Sequence, residues 1–126
     1  MGNCVLVLED DSDLLQLVRE FLEEADYVVV SVTSVEELLV EAARRSPCVA
    51  LIDSTDPVQF DLWHLGERLQ SMGVRPLAFT AHASAREQFE QDHHGFAGVV
   101  NKPFDVEEFL DAVNSICLEE HQQAVS

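Results

Sequence analysis

Four short stretches of this 126-residue chain carry side chains whose chemistry converges. The acidic run Glu9-Asp10-Asp11-Ser12-Asp13 follows the apolar stretch Cys4 to Leu8, and Asp53 follows Cys48 to Ile52. Thr80 follows Leu77 to Phe79, and Asn101-Lys102-Pro103-Phe104 follows Ala97 to Val100. Clustered carboxylates suit a hard divalent cation such as Mg²⁺ or Mn²⁺; Mg²⁺ takes one or two of them, keeps waters and bridges to phosphate oxygens. Asp53 is then placed to attack phosphorus and form an acyl phosphate. The Lys102 ammonium would offset charge on the equatorial oxygens, and the Thr80 hydroxyl would donate a further hydrogen bond. Nucleotide and flavin phosphates want a glycine-rich first turn with free N–H groups; here that turn is acidic, which disfavours dinucleotide and flavin binding.

Each stretch taken alone has a plainer structural account. An acidic turn before a helix is often only capping and dipole chemistry, which suffices for Asp11, Ser12 and Asp13. One Asp after an apolar strand often just opens a loop, a Thr can cap a helix, and Lys-Pro is common in turns. The conjunction favours chemistry: acid pair, Asp, Thr and Lys-Pro each end a different apolar run.

The elements that must position these residues follow from hydrophobic period. Five short apolar runs, Cys4 to Leu8, Tyr27 to Val32, Cys48 to Ile52, Leu77 to Phe79 and Ala97 to Val100, read as buried strands. Between them, Leu14, Leu15, Val18, Phe21, Leu22 and Ala25 share one helical face, as do Val35, Leu38, Leu39, Ala42 and Ala43. Leu62, Leu65, Leu69 and Met72 form a third stripe, and Val106, Phe109, Leu110, Val113 and Cys117 the last. Over Ala83 to His93, where Phe89 is the only large apolar residue, the pattern is weak and fits either a short, mostly solvated helix or a mobile segment. Ser34 with Glu37, and Asp105 with Glu108, have the spacing of a capping box and mark two helix starts. Alternating strands and helices with right-handed crossovers predict a single doubly wound α/β domain over residues 1–126. Its five-stranded parallel sheet takes the flavodoxin-like order 2-1-3-4-5, and residues 119–126 form a frayed tail. Ligands of such sheets bind beyond the carboxyl ends of the strands, where the four stretches fall.

Composition narrows the function classes. With 24 acidic against 7 basic side chains the net charge is −17, which repels phosphate backbones and anionic membranes; no direct nucleic-acid or membrane partner is expected. No apolar stretch approaches membrane-spanning length. Cys4, Cys48 and Cys117 form no C-x-x-C pair and sit in apolar runs, so they read as core thiols of a protein in the reducing cytoplasm. His93-His94, just before Gly95, reads as a last helical turn rather than a metal site.

Taken together, these motifs resemble the response-regulator receiver domains of bacterial two-component signalling, over essentially the whole chain. The resemblance implies that Glu9 and Asp10 are the metal-binding acid pair, with Asp10 the direct ligand, and that Asp53 is the phosphoacceptor. It implies that Thr55 lends its backbone carbonyl to the metal and that Thr80-Ala81 is the switch threonine with its small neighbour. Lys102-Pro103 would be the phosphate-binding lysine and a cis-prone proline, and His82 lies where a residue can tune the hydrolytic water. The chain departs from the family in having Asp56 before Pro57 and Val99 where an aromatic ring is usual. No output domain is expected after the last helix. The function implied is a switch that takes a phosphoryl group from a histidine kinase or phosphotransfer protein, signals to a downstream partner, and catalyses only its own phosphorylation and dephosphorylation. A second reading is a pseudo-receiver that works as a phosphorylation-independent interaction module, for which Val99 and Asp56 speak. An aspartyl-phosphate hydrolase ranks third, since it would want a second acid where Thr55 stands.

Overall fold

The computed structural model describes residues 3–9, 11–53, 60–80, 96–101 and 105–125, with the backbone alone for 60–63, 80, 101 and 118–125. In chain order the elements are β1 (Cys4–Leu8), α1 (Ser12–Glu24), β2 (Val28–Val32), α2 (Val35–Arg45), β3 (Val49–Asp53), α3 (Phe60–Ser71), β4 (Arg75–Thr80), β5 (Gly98–Asn101) and α4 (Val106–Val125). The strands form one parallel sheet in the order β2-β1-β3-β4-β5, as the alternating pattern requires. The segment Ala83 to His93 lies outside the described residues. The backbone of the expected tail is helical through Val125.

Because helices cover both faces, the strands are apolar on both. Val5, Val7, Val49, Leu51 and Phe79 point to one cluster, which takes in Val18 and Leu22 of α1 and Phe109 and Val113 of α4. Leu6, Ala50, Ile52 and Ala78 point the other way, to Leu38 and Ala42 of α2 and Leu65 and Leu69 of α3. The rings of Phe79 and Phe109 lie 5.5 Å apart and tilted by 33°, joining β4 to α4. The predicted stripes hold at their centres and fail at their ends: Val35 and Ala43 of α2 and Met72 after α3 are exposed.

Three helix starts are fixed by side-chain oxygens. Ser34 Oγ accepts the Glu37 N–H at 3.1 Å, while the Glu37 carboxylate reaches back to the Thr33 hydroxyl at 3.0 Å, one residue before the cap. Asp105 Oδ1 accepts from the N–H groups of Glu107 and Glu108 at 2.8 and 3.3 Å. Asp11 caps α1.

β4 begins two residues before the predicted strand and takes in Pro76, paired in register with Ala50. The Pro76 carbonyl accepts the Ala97 N–H at 2.8 Å. In an extended residue the nitrogen faces the same side, here ahead of the first residue of β5, so the missing donor forfeits no rung of the ladder.

The reading of all three cysteines as core thiols needs correction. Cys48 and Cys117 are buried as expected, but they are joined in a disulfide, with Cα atoms 5.2 Å apart; Cys4 alone keeps its thiol. A 69-residue separation hides the pair. Only the tertiary crossing of α4 over β3 brings the residue before β3 against the fourth turn of α4.

Candidate functional site

The carboxyl ends of the strands meet along one rim of the sheet. In the β1–β3 register Leu8 lies opposite Ile52, so the next rung sets Glu9 beside Asp53, on strands about 4.8 Å apart. Asp53 in turn pairs with Phe79 on β4, and Thr80 of β4 pairs with Asn101 of β5, the residue before Lys102. The fold thus brings Glu9, Asp53 and the backbone of Thr80 to one end, at the switch point between β1 and β3 where such sheets hold ligands. Asp10, Thr55, Ala81, His82, Lys102 and Pro103 lie outside the described residues.

Glu9 is only 8% exposed, the one polar residue buried among those described, and Asp53 is half-buried. A buried carboxylate needs donors. Glu9 Oε1 accepts the Asp11 N–H at 3.1 Å. Asp11, by contrast, turns its carboxylate into α1: Oδ1 accepts from the N–H groups of Asp13 and Leu14 at 3.0 and 3.2 Å. The acidic run therefore divides its work. Asp11 is committed to capping, as the structural account allows, and its own N–H orients Glu9 beside the phosphoacceptor candidate.

Among the described residues no three His, Cys, Asp or Glu side chains group as a metal site. Glu9 and Asp53 are nevertheless the hard, adjacent oxygen donors that a small divalent cation prefers. A cleft of about 300 Å³ lies at the other end of the sheet, lined by Arg75 and Leu77 of β4, Gly98 and Val99 of β5, and Ala112, Ser115 and Ile116 of α4. It shares no residue with the acidic rim. Val99 is half-buried and packs on the cluster beneath α2 and α3.

The family model of the response regulator receiver domain matches residues 5–114. The chain belongs to that family. Receiver domains carry a phosphoacceptor signalling role in general terms, and the sheet order here is theirs. The chemotaxis response regulator CheY4 of Vibrio cholerae superposes with a TM-score of 0.75 at 25% identity, over 92% of this chain and 99% of that one. The signal receiver domain of an HD domain-containing protein from Pseudomonas fluorescens Pf-5 shares the fold at a TM-score of 0.83 and 17% identity, over 98% of this chain and 92% of that one. A 14.6 kDa protein of Leptolyngbya boryana is 27% identical over 118 residues, 90% of this chain and 89% of its own length. Among the described residues, no helix is long and apolar enough to cross a membrane.

Two features of the described molecule escaped the sequence reading. The disulfide had a faint signal, since Cys117 stands on the buried stripe of the last helix and Cys48 opens the third strand. The tie from Asp11 to Glu9 had none, because an acidic run does not declare which of its members turns inward.

Proposed function

We propose that this receiver domain is a phosphoacceptor switch in which Asp53 takes a phosphoryl group from the phosphohistidine of a histidine kinase or phosphotransfer protein. The observation that carries this reading is the pairing of buried Glu9 with Asp53 on adjacent strand ends, at the switch point of the sheet. In the transfer an Asp53 carboxylate oxygen bonds to phosphorus as the P–N bond breaks, and the imidazole nitrogen leaves with the electron pair. Glu9, Asp10, Asp53 and the Thr55 carbonyl would hold Mg²⁺ or Mn²⁺, which when bound neutralises charge on the phosphoryl oxygens. Lys102 would hold one phosphoryl oxygen and Thr80 another, so that charge arriving at Asp53 draws on β4 and β5. Catalysis is confined to the chain's own phosphorylation and dephosphorylation, and its output is a changed surface read by a downstream protein. We place this chemistry in the cytoplasm.

Intact-mass measurement after incubation with acetyl phosphate and Mg²⁺ tests the assignment. Wild type gains one phosphoryl group and Asp53→Asn gains none, because an amide is not a nucleophile. Equal labelling of the two would refute the site. No labelling of either would favour the pseudo-receiver reading, for which Val99 speaks: β-branched and packed on the core, it has no ring to turn between surface and interior.

A further inference from the structure

We propose that Cys48 and Cys117 form a reversible thiol–disulfide site, a redox latch that holds the distal part of α4 against the base of β3. It goes beyond phosphoryl chemistry at Asp53 and does not require it. Three observations carry it.

First, the bond joins elements that are already packed without it. Phe109 and Val113 of α4 are fully buried in the cluster over β1, β3 and β4, so the helix has an apolar anchor on the N-terminal side of the disulfide. Two thiols in place of the bond would be small hydrophobes in the same cluster. Both oxidation states are therefore compatible with the fold, which a switch needs and a small domain held together by its disulfides lacks.

Second, the pairing is protected from scrambling by the sheet itself. Cys4 sits next to Cys48 in the chain's folding, and its carbonyl accepts the Cys48 N–H at 3.0 Å. Its side chain, however, packs on the opposite cluster, beneath α2, while Cys48 and Cys117 belong to the cluster beneath α4. Burial also pushes the Cys4 thiol up, against the pull of Arg45, so it is a poor nucleophile near neutral pH.

Third, the bond sits late in its helix. Cys117 is the twelfth of the 20 residues of α4, directly after buried Ile116, and the helix runs on to Val125. The latch thus fixes α4 at the point beyond which its last turns continue. In a reducing compartment such as we assign to this protein, a disulfide is usually transient or sensing.

The step is a thiol–disulfide exchange with a dithiol reductant. A reductant thiolate attacks Sγ of Cys48, which at 8% is more exposed than Cys117 at 2%. The S–S bond breaks, and Cys117 leaves as a thiolate that takes up a proton. The second reductant thiol resolves the mixed disulfide, Cys48 is released and protonated, and the reductant departs as its own disulfide. Two electrons and two protons have entered the protein. A disulfide oxidant such as oxidised glutathione reverses the sequence.

The test is amide hydrogen exchange on the whole chain, oxidised with glutathione disulfide or reduced with dithiothreitol, each state verified by intact mass. Loss of a cross-link accelerates every amide that exchanges by global unfolding, and residues 5–7 of β1 report that common factor. If the latch is real, amides of residues 113–121 accelerate at least tenfold more than those of β1 on reduction, and reoxidation restores them. Cys117→Ser behaves as the reduced protein in either buffer, and Cys4→Ser as wild type. Equal acceleration in β1 and α4 would overturn the proposal and leave a permanent staple. So would failure of the thiols to reoxidise, or of the bond to yield to dithiothreitol in the folded protein.

Discussion

Reduction of the Cys48–Cys117 disulfide is expected to lower global stability by an amount that the chain connectivity fixes. The bond spans 69 residues, and in the chain-entropy model the cross-link removes about 14.7 cal/mol/K from the unfolded ensemble, or about 4.4 kcal/mol at 25 °C. Reduction leaves both sulfurs in place, so no cavity term adds to this figure. A chain of 126 residues has a stability of roughly 6–19 kcal/mol, so the reduced protein stays folded but loses between about a quarter and about three-quarters of its margin. The assay is urea unfolding followed by circular dichroism, with and without dithiothreitol. With a slope of about 2 kcal/mol/M the midpoint falls by about 2 M, and the slope itself rises as the reduced unfolded chain expands. Cys4→Ser separates any effect of the third thiol. A loss below about 1 kcal/mol, or a gain, would mean that the unfolded chain already holds these residues together, and the loop-entropy reasoning would fail.

Other expectations concern the acidic rim and the helix ends. Asp11→Ala removes the cap of α1 and should cost about 1 kcal/mol in the same urea assay; an unchanged midpoint would mean that Asp13 takes over the role. Ser46 ends α2 at φ 47°, in the left-handed region that favours glycine, so Ser46→Gly should be neutral or raise stability by up to about 1 kcal/mol, and a clear loss would contradict the strain. Mg²⁺ should raise the melting temperature of wild type, by about 1.4 kcal/mol of linkage at ten times Kd, and much less in Asp10→Ala; equal responses would count against the acid pair as the metal site. Beryllofluoride should alter amide exchange mainly across residues 81–95, which follow Thr80, with less change near Val99; a response centred on 98–101 would refute that route of output.

How far the fold was legible depended on whether the signal was local. The apolar runs place all five strands because a parallel sheet buries both faces of each strand, which makes the run itself diagnostic. Ser34 and Asp105 announce their helices because a cap is a contact across three residues. The start of β4 was not legible from its apolar run, since the tolerance of Pro76 depends on where β5 begins, at Gly98, and no local rule about proline in strands supplies that. Glu9 and Asp53 were legible as a pair only after the strand order was drawn, and the order came from topology rather than from either residue. Burial of Glu9, and its tie to Asp11, depended on how tightly the turn after β1 folds back, which no pattern of residue types specifies.

That tie makes the first turn of α1 and the Glu9 carboxylate a single mechanical unit. One N–H of Asp11 holds Glu9, while the carboxylate of the same residue holds the start of the helix. As the metal ligand proposed above, Glu9 would meet an ion with its orientation already set, and little ordering entropy would remain to oppose binding. The same linkage runs in the other direction. A partner that grips α1, where Leu17 is exposed, and tilts its first turn would act on Glu9 through this bond, alongside the other contacts of the carboxylate, and so on the ion affinity proposed for it.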